Sequence, residues 1–186
     1  WGMGLKGRID ASRSSVLNAD GRFDNLAEAR GSIDAVGLAA EPVLYDMATG
    51  SLSFSQRLNR FSFSLGGRLT TFDYDDLASL GGGMIDQDFR DRSVAVTIAT
   101  AKYEFSAGSN VVLQAEISSR DYDLEPGDAG FVPGLNFDRD STGYNVKGGL
   151  EFGVTNLVNG KIMIGYLEQD YDDVAFTAVE GASFSA

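Results

Sequence analysis

Neither cysteine nor histidine occurs among the 186 residues. Without cysteine there is no disulfide framework and no thiolate metal site. Without histidine the commonest general base and transition-metal ligand is missing, which excludes serine–histidine–aspartate and histidine–aspartate hydrolytic sites. Proline is scarce at three residues, and no apolar run reaches the roughly 18 residues that mark a membrane-spanning helix. A helical membrane protein is thereby excluded, but a barrel is not, because its strands need only every second residue apolar. Cationic residues are few as well: 15 Lys and Arg stand against 27 Asp and Glu, a formal net charge of −12. A phosphate backbone requires a basic footprint, so nucleic acid is not an expected partner.

Repetition is the strongest positive signal. Asp-Tyr-Asp begins at Asp73, Asp121 and Asp170, at spacings of 48 and 49 residues, each time closing a stretch of alternating polarity. Upstream of each copy stands a related segment: Leu52-Ser53-Phe54-Ser55, Tyr103-Glu104-Phe105-Ser106 and Leu150-Glu151-Phe152-Gly153. Phe89-Arg90-Asp91-Arg92-Ser93 likewise parallels Phe137-Asp138-Arg139-Asp140-Ser141. Each repeat reads as strand, tight turn, strand, long acidic loop, the order of an up-and-down antiparallel barrel.

Strands are expected over 1–12, 43–54, 60–72, 92–106, 111–121, 142–154 and 161–171, with another starting near Phe176. In the fifth, Leu113, Ala115 and Ile117 alternate with Gln114, Glu116 and Ser118, which is period two. Aligning the repeats puts Leu65, Gly67 and Leu69, and Ile162, Ile164 and Tyr166, on the same apolar face. The fourth strand breaks parity, with Val94, Val96 and Ile98 at even positions but Tyr103 and Phe105 at odd ones, and a β-bulge near Ala99–Ala101 is expected. Segment 13–41 is expected to be a long loop, with Leu26-Ala27-Glu28-Ala29-Arg30 forming a helical turn or two. Short connections alternate with long acidic ones, matching the periplasmic turns and extracellular loops of outer-membrane barrels. Phe54, Phe61, Phe105 and Phe152 beside the short turns, and Phe72, Tyr74, Tyr122 and Tyr171 beside the long loops, are expected to form two aromatic belts at the lipid–water interfaces.

Loops 13–41, 72–92, 120–140 and 168–175 hold 21 of the 27 acidic residues and seven of the 15 basic ones, a net −14, leaving +2 elsewhere. Paired carboxylates can serve glycoside hydrolysis, but their number and loop position favour solvated acidic tips, and no enzymatic role is expected. Gly81-Gly82-Gly83 reads as flexible loop, since a phosphate cradle would lead into Lys and a helix. No cofactor is expected beyond structural Ca²⁺ or Mg²⁺ in the acidic loops, for which Asp86, Asp88, Asp121 and Asp123 are the candidates. The lumen-facing set is expected to comprise Lys6, Arg8, Arg60, Arg68, Gln114, Glu116, Asn145, Lys147 and Glu151, a mixture of signs that suits a wetted interior.

Asp138-Arg139-Asp140-Ser141-Thr142-Gly143-Tyr144, Gly165-Tyr166-Leu167-Glu168-Gln169-Asp170-Tyr171-Asp172-Asp173 and Asn59-Arg60-Phe61 resemble the Putative beta-barrel porin 2 family, as do Arg30-Gly31-Ser32 and Glu41-Pro42-Val43. The likeness runs from Arg30 onward and implies a Gram-negative outer-membrane barrel, sometimes associated with surface polysaccharide. The family carries over no functional residue. Its members are longer, with a signal peptide and a terminal aromatic strand. Residues 1–186 are accordingly expected to be a single outer-membrane barrel domain cut at both ends, with about eight strands of a larger all-β, up-and-down antiparallel barrel. Expected partners are outer-membrane lipid and lipopolysaccharide, and the expected role is a passive porin-like channel or a barrel associated with polysaccharide export. The alternatives are a non-conducting structural or adhesive barrel and a soluble secreted acidic β-sandwich. Acidic loops bordering a pore mouth would favour cations at low ionic strength.

Overall fold

The computed structural model describes residues 1–28, 41–128, 130–132, 136–155 and 158–186. Its strands are β1 Gly2–Asp10, β2 Ser15–Ala27, β3 Leu44–Leu58, β4 Phe61–Tyr74, β5 Leu77–Ala78, β6 Met84–Ile85, β7 Arg92–Ser106, β8 Ser109–Tyr122, β9 Ser141–Thr155, β10 Val158–Tyr171 and β11 Val179–Ser185. All but β5 and β6 form one nine-stranded antiparallel sheet in chain order, β1-β2-β3-β4-β7-β8-β9-β10-β11. β5 and β6 make a separate small hairpin, and a 3₁₀ turn over Asp88–Arg90 precedes β7. The up-and-down order expected from the repeats is present. The sheet is not closed: β1 and β11 are its edges and do not pair with each other.

Connections 11–14, 59–60, 107–108 and 156–157 are short and alternate with 28–43, 75–91, 123–140 and 172–178. Two-residue turns call for left-handed backbone, which Asn59 (φ 57) and Gly108 (φ 75) supply.

Segment 13–41 departs from expectation. Ser15–Ala27 is a full strand, paired with β1 and β3 along its length, so Leu26 and Ala27 are extended and not helical. The rest of that expected helical turn, Ala29 and Arg30, lies outside the described residues. The alternation in β2 is easily missed because its apolar set, Leu17, Ala19, Gly21 and Phe23, includes two residues with little side chain.

Directly opposed residues in an antiparallel pair share a face, so the registers sort the side chains across the whole sheet. One face presents Leu5, Leu52, Phe54, Leu65, Leu69, Leu113, Ile117, Leu150, Ile162 and Ile164, all 45–80% exposed. The other presents Ser51, Ser53, Ser64, Arg68, Thr100, Gln114, Glu116, Asn145 and Lys147.

The expected bulge at Ala99–Ala101 is absent, since that stretch pairs without interruption against Leu113–Ala115. The register shift in β7 falls instead between Glu104 and Ser106. The parity break has another cause: Val94, Val96 and Ile98 lie on the polar face, while Ala95, Thr97, Ala99 and Ala101 occupy the apolar one.

The loop-side aromatic belt is corrected by the same register. Phe72, Tyr74 and Tyr122 share the face of Arg92, and Tyr171 shares the face of Ser141, so all four lie on the polar side. The rings on the apolar side at that end are Trp1, Phe23, Tyr144 and Tyr166, with Trp1 and Phe23 5.6 Å apart. At the short-turn end Phe54, Phe61 and Phe152 of the expected belt lie on the apolar face, joined there by Phe63 and Tyr103, while Phe105 falls at the register shift of β7.

The buried apolar cluster is small: Val43, Tyr74 and Leu77, with Tyr45, Phe72 and Ile85 against it. It forms where connection 75–91 folds back over the long-loop end of the polar face.

Candidate functional site

Of the nine residues expected to face a lumen, Lys6, Arg8, Arg68, Gln114, Glu116, Asn145, Lys147 and Glu151 project from the polar face. Arg60 sits in turn 59–60, off the wall. That face carries ten Lys and Arg in its strands against six Asp and Glu, whereas the apolar face carries Asp46, Asp73, Asp121, Glu168, Asp170 and Glu180 with no cation. Those six outward acids all stand at the long-loop ends of their strands. The four long connections themselves hold fifteen acidic and three basic residues. The acidic charge thus crowns one end of the sheet, and the polar face is net basic.

Five of the six acids on the polar face are engaged. Lys6 meets Asp20 at 3.8 Å, Arg8 meets Asp10 at 2.8 Å, Arg57 meets Glu104 at 3.1 Å and Lys102 meets Glu151 at 2.6 Å. Arg22 pairs with Asp24. Exposed pairs contribute about 0–1 kcal/mol each, so the first four set the local field more than the stability, whereas Asp24 of the last pair is buried. Arg68, Arg92, Arg120, Lys147 and Lys161 make no ion pair among the described residues.

The long-loop end of this face holds a cavity of about 640 Å³. Four arginines line it, Arg90, Arg92, Arg120 and Arg139, together with Phe72, Tyr74, Phe89 and Tyr122, and among the described residues no carboxylate does. β4, β7 and β8 supply the floor, while Gln87, Phe89 and Arg90 come from connection 75–91 and Arg139 from connection 123–140. Arg90 is buried, donates to Glu28 at 3.0 and 3.2 Å, and lies 4.1 Å over the Tyr74 ring. The Arg92 guanidinium is 4.4 Å from the centre of Phe72 and 5.8 Å from that of Tyr122. Arg139 approaches the same Tyr122 ring at 5.7 Å and Phe89 at 5.5 Å. Aromatic faces attract guanidinium groups while leaving the in-plane N–H donors free, so these contacts orient the cations without neutralising them.

The two recurring motifs meet at this end. Asp91 Oδ1 accepts from the Tyr74 amide at 2.7 Å, and Asp140 Oδ1 accepts from the Tyr122 amide at 2.7 Å. The main-chain carbonyls of Asp91 and Asp140 accept from the Asp123 and Asp172 amides, both at 3.0 Å. One aspartate therefore pins the tyrosine of one Asp-Tyr-Asp and the aspartate that ends the next. Burial pushes the Asp91 carboxyl up to about 6, against the Tyr74 hydrogen bond, which lowers it, and with help from Asp73, Asp88 and Asp123. Burial raises Asp140 too.

Among the metal candidates, Asp86 and Asp88 come together with Asp76, their carboxylate oxygens within 4.8 Å of one another and all three exposed. Asp76 also accepts from the Gln87 amide at 3.0 Å and Asp86 from the Asp88 amide at 2.9 Å, so both already serve as loop acceptors. The charge of Asp86, ahead of burial, raises Asp88. Asp121 and Asp123 are not part of this group; Asp121 accepts from the Ser119 hydroxyl at 3.0 Å.

A family model matches residues 1–186, the whole of this nine-stranded meander. The chain belongs to the Putative beta-barrel porin 2 family. Membership of a porin family implies a non-enzymatic role. No curated protein and no solved structure matches the chain.

Proposed function

We propose that this chain forms the wall of a bacterial outer-membrane β-barrel whose polar face lines a water-filled passage for passive diffusion of small hydrophilic solutes. The observation that carries this reading is the division of a single sheet into two unlike faces. Side chains such as Leu5 at 80%, Ile164 at 60% and Ile117 at 59% exposure form one uninterrupted apolar surface. Water-soluble proteins rarely expose apolar patches beyond a few hundred Å². Among the described residues no second sheet covers this surface, which disfavours the β-sandwich. Central strands of 14 and 15 residues, rising about 3.3 Å per residue, cross the roughly 30 Å of hydrocarbon even when tilted about 40°.

Unpaired edges do not persist in lipid, because each free amide and carbonyl there costs several kcal/mol. Nine alternating strands leave β1 and β11 running in the same direction. An all-antiparallel closure therefore takes an odd number of further strands, which supports the reading that this sheet is part of a larger barrel.

Solutes would pass the acidic crown first and the basic face next. The runner-up, a non-conducting structural barrel, draws support from connection 75–91, which folds over the polar face and fills part of one end. Extraction followed by planar-bilayer recording of the intact protein tests both. Recovery in the aqueous phase without detergent would refute the membrane wall, and a detergent-extracted protein that passes no current would favour the structural barrel.

A further inference from the structure

We propose that Arg92, Arg120 and Arg139 bind the oxyanion groups of an acidic solute (phosphate, sulfate or carboxylate) in the cavity at the long-loop end of the polar face. The inference rests on that face being wetted, but not on the barrel conducting.

The first ground is charge placement. In a chain with 27 acidic residues, the described lining of the cavity of about 640 Å³ holds four arginines and no acid. Among the described residues Arg90 has a carboxylate partner there, Glu28 at 3.0 Å, and both side chains of that pair are largely buried. Arg92, Arg120 and Arg139 make no ion pair among the described residues, although the flanking loops are rich in aspartate. The nearby Asp91 and Asp140 carboxyls are held by the Tyr74 and Tyr122 amides, 2.7 Å away in each case, and neither lines the cavity.

The second ground is orientation. Arg92 and Arg139 both approach the Tyr122 ring, at 5.8 and 5.7 Å, and lie 4.4 Å from Phe72 and 5.5 Å from Phe89 respectively. A guanidinium held over a ring keeps its fork of N–H donors free in its own plane, where a planar or tetrahedral oxyanion accepts two at once. Arg92 commits one nitrogen to the Arg90 carbonyl at 3.0 Å, which further fixes its direction. Three like charges held around one cavity repel each other, and an anion of charge two or more relieves that repulsion best. The cavity opens on the polar side of the sheet, away from the lipid-facing side chains, so the oxyanion arrives on a solute and not on a membrane lipid.

Calorimetric titration of the intact protein in detergent micelles at low salt tests the site, with inorganic pyrophosphate in one arm and a galacturonate trisaccharide in the other. Binding of either probe at one site per chain is expected. Arg120→Gln and Arg139→Gln should each weaken it by about tenfold or more, the scale of one charge-assisted contact. Arg139→Lys should restore less than the full affinity, because it returns the charge without the fork. Arg13→Gln, in the short turn at the opposite end, should leave binding unchanged. Arg92→Gln removes ring contacts as well and can unfold the wall, so the test relies on the two exposed arginines. No binding of either probe, or binding that survives the Arg120→Gln/Arg139→Gln double variant, would overturn the proposal. Pyrophosphate bound by a protein that passes no current would refute the diffusion pore and leave this site standing.

Discussion

Replacing Gly165 by alanine should destabilise the sheet far more than the same change at Gly67. A Cβ at Gly165 would lie 1.9 Å from the Val146 carbonyl oxygen and 2.7 Å from Lys147 Cα. Gly149 is equally confined, with the Ile162 oxygen at 2.0 Å and Met163 Cα at 2.7 Å. Both glycines project from the polar face of the β9–β10 pair, where neighbouring main chains crowd together. The obstacle is backbone, which cannot swing aside as a side chain can. Relieving it takes a displacement of about 1 Å or more between strands normally about 4.8 Å apart. That shift stretches one or two ladder hydrogen bonds beyond useful length, at about 1 kcal/mol each, on top of about 1–3 kcal/mol of overpacking. A loss of about 2–5 kcal/mol is expected for Gly165→Ala. At Gly67 and Gly50 an added methyl meets nothing within 4 Å, and the reduced freedom of the unfolded chain can even stabilise by about 0.4–1 kcal/mol. Urea titration of the refolded protein in micelles, followed by heat-modifiable gel migration, measures the difference. Equal midpoints for Gly165→Ala and Gly67→Ala would refute the argument that these glycines admit the close approach of β9 and β10.

Arginine at Ile164, at mid-strand on the apolar face, should cost about 2–4 kcal/mol in a bilayer, while Gln114→Arg on the opposite face should be tolerated; the same unfolding assay in lipid vesicles would show equal losses if the faces were misassigned. Because the folded Asp91 carboxyl sits near 6, above its ordinary 3.8, the stability it contributes is complete below about pH 4 and is lost as pH rises through about 6. Connection 75–91 should therefore protect the Tyr74 amide from hydrogen exchange better at pH 5 than at pH 7.5, after correction for intrinsic rates, and Asp91→Asn should remove that pH step. In planar bilayers the acidic crown should favour cations at low ionic strength, and rising salt should shift the reversal potential toward anions, since the exposed loops are screened before the confined wall. A selectivity indifferent to salt would show that the loops do not border the passage.

Much of the wall was readable because a strand with one apolar face repeats every two residues. Leu113, Ala115 and Ile117 against Gln114, Glu116 and Ser118 carry that period openly. The 48- and 49-residue spacings supplied the order of strands, and of the nine residues expected to face a lumen all but Arg60 lie on the polar face of the sheet. β2 was hidden because Ala19 and Gly21 blunt its pattern, and Val94, Val96 and Ile98 misled because apolar residues also occur on the polar face. The Arg92–Tyr122–Arg139 arrangement was not legible at all: its members lie in two strands and a connection, and no spacing rule joins them.

The sequence by itself determined the class of structure, because alternation, absent helical runs and strictly alternating loop lengths are local properties of the chain. It determined as well that the acidic charge gathers in one set of connections. Which way each Asp-Tyr-Asp turns was decided only by the tertiary structure, since facing depends on register and not on composition. With Asp73, Asp121 and Asp170 outward, Tyr74, Tyr122 and Tyr171 fall on the polar side. Folding then brings Arg92 and Arg139, from distant segments, to the Tyr122 ring. A net-acidic chain thus gains a basic cavity because pairing aligns side chains far apart in sequence, and the field at a point depends on what is near it and not on the sum over the chain.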